Sequence, residues 1–285
     1  MPVAINPTYA VAAVPTAPQQ ADIVYACNQW ALALTNLGHN MTINVEFWAV
    51  DMSATHLNGM CIPGIIQTGN STLTRPQAKL SGDIGNPNDA AIDLVIVMDT
   101  TTPWVLGTPP LIPIAGGQYS LSTTMMHELC HGLGFIGICN IDMTVVPNVG
   151  IYTDANLIAQ LNHVVGLMNP MVVIPAHFFP VLPVSGIAVV TPFANLFGYA
   201  SPGNVLLKGF APDDYVAFVT VNDVVIQSPA APTGFYTVLT GAPFQPFTSC
   251  DHITGGPYLM NSTTVGQYYA APDAAALDIL GLIGW

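Results

Sequence analysis

The nine residues from His127 to Phe135, HELCHGLGF, set two histidines four positions apart around a glutamate. On an α-helix that spacing leaves the two side chains only about 40° apart around the axis, so His127 and His131 can hold one metal ion from a single face. Glu128 directly follows the first histidine. Its carboxylate then lies beside the ion and acts on water as a general base, the pattern expected of metal-assisted hydrolysis. A chance HExxH on a solvated helix would carry no such chemistry, but glutamate is scarce here, occurring only at Glu46 and Glu128. Cys130 is a poor ligand, because it lies about 100° round the helix from His131.

Catalytic zinc sites take three protein ligands and keep a further position open. No glutamate follows Glu128, so the third ligand has to be histidine or aspartate. Three later histidines qualify, His163, His177 and His252, with Asp142 and Asp154 as oxygen donors. HELCHGLG resembles the compact metzincin pattern HExxHxxGxxH as far as Gly134, which would imply a third histidine three residues further on, but that position holds Gly137.

His252 sits in the segment SCDHITGGPYLMNS, which is followed by a short helical pattern from Pro272 through Leu280 and the tail GLIGW. On HELCHGLGF, the later histidine, the Leu259-Met260 pair and this tail, the chain resembles the leishmanolysin-like branch of the metzincin metallopeptidases. ACNQWALAL, INVEFWAV and AIDLVIVMDTTTPW, in that order, extend the resemblance upstream. It implies a zinc endopeptidase acting on protein or peptide, with His127, His131 and His252 as ligands, Glu128 as base, and Met260 in a turn under the metal. It also implies an α+β, metzincin-like fold: a mixed sheet with an active-site helix, a β-rich insertion, and a small C-terminal subdomain ending in a helix. One departure is the tyrosine that some metzincins carry two residues after the methionine, since that position is Ser262; Tyr258, Tyr268 and Tyr269 are the substitutes at hand. Two other functions stay open on the motif: a zinc amidase or esterase, and a non-catalytic binding module on the same scaffold.

The elements that must position these residues are partly legible. Ser120 or Ser122 caps the start of the helix, Leu121, Met125, Leu129 and Leu133 form its core stripe, and Gly132 with Gly134 stops it. The histidines then face away from that stripe. Residues 1–20, rich in Pro and Ala, read as an extended arm; they lack the basic start and continuous apolar run of a signal peptide. Residues 21–134 form a catalytic subdomain, 135–248 an insertion of short strands punctuated by Pro and Gly, and 249–285 the C-terminal subdomain.

Composition bounds the partners. Sixteen acidic side chains, fourteen of them Asp, face only Arg75, Lys79 and Lys208, a net charge of −13. Nucleic acid and anionic membrane surfaces are therefore poor partners, and trypsin-like proteases find few cleavage sites. Half the residues are hydrophobic, and from Ala155 to Leu207 no charged side chain occurs. Prolines interrupt that stretch too often for the roughly 20-residue apolar helix a membrane span needs. Five cysteines favour an extracellular or secreted setting, in which Cys27 would pair with Cys61 and Cys139 with Cys250, leaving Cys130 free; in a reducing compartment all five would be thiols. The second bridge would close a loop of about a hundred residues, worth on the order of 4 to 5 kcal/mol. Calcium could bind Asp213 with Asp214, or Asp83, Asp89 and Asp93. Composition leaves the oligomeric state open.

Overall fold

A computed structural model describes residues 2–53, 57–68, 71–109, 113–135, 140–142, 149–151, 205–207, 224–227, 229–239, 252–282 and 284–285. These residues form a mixed α+β fold, with four helices among them. The main sheet has the order β1 (Ala4–Tyr9), β2 (Thr42–Val50), β6 (Leu94–Asp99), β3 (Gly59–Pro63). The first three strands run parallel and β3 antiparallel to β6. Helix α1 (Ala17–Asn36) makes the crossover between β1 and β2, the connection that parallel neighbours require.

Alternation along β2 and β6 divides the core in two. Ile43, Val45, Phe47, Leu94, Ile96 and Met98 point to the helical side, whereas Trp48, Val95 and Val97 pack with Met52, Met60 and Ile62 on the other. Strand β6 is buried at all six positions, which explains why its sequence is a continuous apolar run from Leu94 to Met98 instead of an alternating one.

The expected N-terminal arm instead supplies β1 and the start of α1. Val3 and Ile5 give it enough apolar surface to dock, and Pro7 is tolerated because β1 is the sheet's edge. Helix α1 begins at Ala17, where the Gln19 side chain accepts a hydrogen bond from the Thr16 N–H at 2.8 Å.

Helix α2 (Arg75–Ser81) follows the hairpin β4 (Ile65–Thr68) and β5 (Ser71–Thr74). It carries Arg75 and Lys79, which pair with Asp89 and Asp93. The Lys79 Nζ stands 2.7 Å from Asp93 Oδ2, with both side chains fully buried. Asp89 and Asp93 are thus already neutralised by protein cations, and Asp83 accepts from the Ser81 hydroxyl, so calcium is not expected at this cluster. Asp213 and Asp214 lie outside the described residues.

Two-residue strands β7 (Trp104–Val105) and β8 (Tyr119–Ser120) pair, and β8 leads directly into helix α3 (Leu121–Leu133). The remaining strands are β9 (Asn140–Asp142) with β10 (Val149–Ile151), and a second sheet β11 (Val205–Leu207), β12 (Val224–Gln227), β13 (Phe235–Val238), β14 (Ile253–Thr254). Helix α4 (Ala274–Leu282) ends the order. Ile253, Leu259, Met260, Ala276, Ile279 and Leu280 join the core built by α1 and α3, so the C-terminal segment shares one hydrophobic core with the main sheet. No described helix is long and apolar enough to cross a membrane.

Cys27 and Cys61 are both buried thiols, so the expected bridge between them is absent. Cys27 on α1 lies near Tyr9 of β1, while Cys61 on β3 lies against Gly132 of α3. Strands β1 and β3 are three spacings apart, about 14 Å, against the roughly 7 Å between Cα atoms that a disulfide allows. Cys130 is likewise a buried thiol, as expected. Cys139 and Cys250 lie outside the described residues.

Candidate metal centre

Helix α3 starts where Ser120 accepts a hydrogen bond at Oγ from the Thr123 N–H, at 3.3 Å. It ends at Gly134, whose φ of 129° would strain any other residue and whose missing side chain leaves room for the Gln77 carboxamide. Gly132, read from sequence as part of the stop, lies inside the helix: a Cβ there would stand 2.6 Å from Leu94 Cδ1 and 3.0 Å from Cys61 Sγ. Its smallness lets α3 sit close to β6 and β3.

All thirteen residues of α3 are buried, so the histidines face away from one apolar stripe but not toward solvent. The C-terminal segment and β3 close over that side. A second constraint comes from α1, where the buried Trp30 donates its indole N–H to the Met126 carbonyl at 2.8 Å, one residue before His127.

His127, His131 and His252 converge, although 121 positions separate the last two in sequence. The Nε2 atom of His127 lies 3.0 Å from that of His131 and 3.0 Å from that of His252. Among the described residues these three form the one group of potential ligands close enough to share a metal ion. Each is less than a tenth exposed, as is Glu128.

The outer nitrogens fix the chemistry of the inner ones. His127 Nδ1 donates to the Leu259 carbonyl at 2.7 Å, and His131 Nδ1 donates to the Phe135 carbonyl at 2.7 Å. A carbonyl oxygen only accepts, so in the neutral rings both protons sit on Nδ1 and both Nε2 atoms carry lone pairs. Burial first, and the neighbouring His252 second, push the His127 pKa down to about 3, against the opposing pull of the Leu259 carbonyl. Two lone pairs held 3.0 Å apart repel unless a cation lies between them. Zinc–nitrogen bonds of about 2.0–2.1 Å at tetrahedral angles would space ligand nitrogens about 3.3 Å apart, so the donor set fits such an ion closely.

Backbone turns supply the outer partners. Gly134 turns the chain so that the Phe135 carbonyl comes back to His131, with Phe135 N–H bonded to the Cys130 carbonyl at 3.3 Å. Residues 258–261 form a β-turn closed by Asn261 N–H to the Tyr258 carbonyl, with Leu259 and Met260 at its centre. Met260 is fully buried in that turn. His252 is held on the other side by its own carbonyl, which accepts from Leu239 N–H at 2.8 Å beside β13.

Glu128 lies against Gly59 of β3. A Cβ on Gly59 would stand 3.1 Å from Glu128 Oε1 and 3.2 Å from its Cγ. Hydrogen bonds from Asp99 N–H to the Asn58 carbonyl and from Gly64 N–H to the Asp93 carbonyl fix the register of β3 on β6. The even-numbered residues of β3 bond to β6. The peptide groups of Gly59 and Cys61 therefore point to the outer edge, with which no strand pairs among the described residues.

Other sequence candidates fall elsewhere. Asp142 lies on β9, while His163, His177 and Asp154 lie outside the described residues. Ser262 is exposed. Tyr269 donates its hydroxyl to the Pro257 carbonyl at 2.6 Å, Tyr268 neighbours the Tyr25 hydroxyl, and Tyr258 packs edge-on against Tyr236. The sequence reading included Leu259 and Phe135 in its motifs but missed the role of their carbonyls, which act without regard to side chain. It also missed Gly59, which a lone glycine at the start of an apolar strand signals only weakly. Compared with known proteins, the chain matches no protein-family model, no curated protein and no solved structure.

Proposed function

We propose that this protein is a zinc-dependent endopeptidase of the metzincin type, leishmanolysin-like branch. The observation that carries the reading is the convergence of three buried histidine Nε2 atoms, two with the outer nitrogen committed to a carbonyl, beside a carboxylate that is not one of the ligands. His127, His131 and His252 would hold the ion. Zinc bound there supplies Lewis acidity, polarising a substrate carbonyl and making water more acidic.

Glu128 takes the proton from the attacking water and delivers it to the leaving amine. Its packing against Gly59 of β3 leaves that side chain little room to move. The edge of β3, unpaired among the described residues, suits a peptide better than a compact ester: an extended chain paired with the outward peptide groups of Gly59 and Cys61 would run past Glu128.

Glu128→Gln tests the reading. The variant should keep zinc and lose at least a hundredfold in casein hydrolysis, the lower end of what a general base contributes. Retention of more than a tenth of the wild-type rate would remove Glu128 from the mechanism. Rapid cleavage of small esters without any cleavage of casein would replace a peptidase by an esterase.

A further inference from the structure

The turn at 258–261 bonds to one proposed ligand directly and to the neighbour of another. Leu259 accepts His127 Nδ1–H at its carbonyl, and Met260 accepts Ile253 N–H at its carbonyl at 2.9 Å, one residue beyond His252. What fixes the turn in turn is Asp273, just before α4. Its Oδ2 accepts the Leu259 N–H at 2.7 Å while its Oδ1 accepts the Ala276 N–H at 2.8 Å. One carboxylate thus caps α4 and grips the residue whose carbonyl orients His127.

We infer that Asp273 is a positioning residue for the metal centre, holding the turn from which His127 and His252 are oriented. This rests on the zinc reading of the three histidines. The two bonds of Leu259 belong to successive peptide groups, so the effect is geometric: with its N–H anchored, Leu259 cannot rotate its carbonyl away from His127. Helix α4 packs Ile279 and Leu280 into the core, which makes its first turn a rigid base for the grip. Loss of a group bonded directly to a ligand histidine typically weakens metal binding about 10- to 100-fold, and Asp273 acts one step behind such a group, the Leu259 carbonyl, so its removal is expected at the lower end of that range.

Asp273→Asn and Asp273→Ser separate the two tasks. Asn and Ser cap a helix about as well as Asp, so α4 keeps its N-terminus. Neither offers two acceptor oxygens, so the Leu259 bond is lost when the cap is kept. In the full chain, zinc affinity is measured by competition with a chromophoric chelator, the visible spectrum of the cobalt-substituted protein reports ligand geometry, and thermal melts are run without metal. The expected result is zinc binding weakened about tenfold or more in both variants, an altered cobalt spectrum, and metal-free melting within a few degrees of wild type. Affinity unchanged within twofold in either variant overturns the inference. Failure of both variants to fold also overturns it, because the Leu259 bond would then serve the fold at large. Wild type that binds neither zinc nor cobalt refutes the metal centre itself, whatever the variants do.

Discussion

Replacing Gly59 by alanine should slow catalysis without disturbing the metal. A Cβ at this position meets Glu128 Oε1 at 3.1 Å, Cγ at 3.2 Å and Cδ at 3.3 Å, each a few tenths of an ångström inside ordinary contact. Gly59 is fixed by the pairing of β3 with β6, and its backbone is outside the left-handed region, so alanine is tolerated there and the glutamate side chain has to move. If a displacement of 1 Å costs about a hundredfold in rate, 0.3 to 0.5 Å costs about fourfold to tenfold. Alanine also lowers the entropy of the unfolded chain by about 0.4 to 1 kcal/mol, which offsets the crowding. Steady-state kinetics on a fluorogenic peptide, with zinc content and thermal melting on the same samples, should show kcat down fourfold to tenfold at unchanged zinc content and nearly unchanged stability. A kcat within twofold of wild type would refute the placement of Glu128 against β3, and loss of zinc would show that Gly59 supports the ligands instead.

Cys27, Cys61 and Cys130 should resist iodoacetamide in the native protein and react only after unfolding, because burial pushes each thiol above its ordinary range; peptide mapping that finds any of them alkylated in minutes would contradict their enclosure. Trypsin should leave the native chain whole or cut it only after Lys208, since Arg75 precedes Pro76 and Lys79 is buried, and equal cleavage at Lys79 in native and denatured samples would count against the α2 packing. Lys79→Met should destabilise the fold in urea unfolding by less than the roughly 3 to 5 kcal/mol that stripping a buried charge of its last partner costs, because Arg75 still pairs with Asp93. Burial already holds the Asp93 carboxyl above its ordinary range despite both cations, and removing Lys79 raises it further. The folded variant then binds a proton that the unfolded chain releases, so its stability should fall as pH rises above about 4, toward the raised folded value. A flat pH dependence would contradict this.

Much of the site was legible because its signals are local. The spacing of His127 and His131, the cap at Ser120 and the stop at Gly134 all belong to one helix and its ends, and the five-residue apolar run from Leu94 to Met98 in β6 marks a strand buried on both faces. The third histidine was reached only through the segment around it, since nothing in the spacing from His131 to His252 states how the chain returns. Phe135 and Leu259 stood in the quoted motifs, but their role as outer partners was not legible, because they act through carbonyls that any residue would carry. Strand β1 was misread because Pro7 and its polar neighbours describe an edge as well as an arm. Cysteine arithmetic paired Cys27 with Cys61 because counting cannot see that the width of the sheet, from β1 to β3, separates them on one face. The acids at 89 and 93 looked available for calcium until α2 brought Arg75 and Lys79 onto them across fourteen residues.

Zinc content of wild type and of His252→Ala, expressed with zinc available and measured by mass spectrometry after exhaustive dialysis, bears most directly on the metal centre. Three converging Nε2 donors predict about one zinc per wild-type chain and its loss from His252→Ala, since two histidines alone do not make a site of this kind. A wild-type chain free of zinc, or a His252→Ala variant that keeps it as tightly, would contradict the assignment.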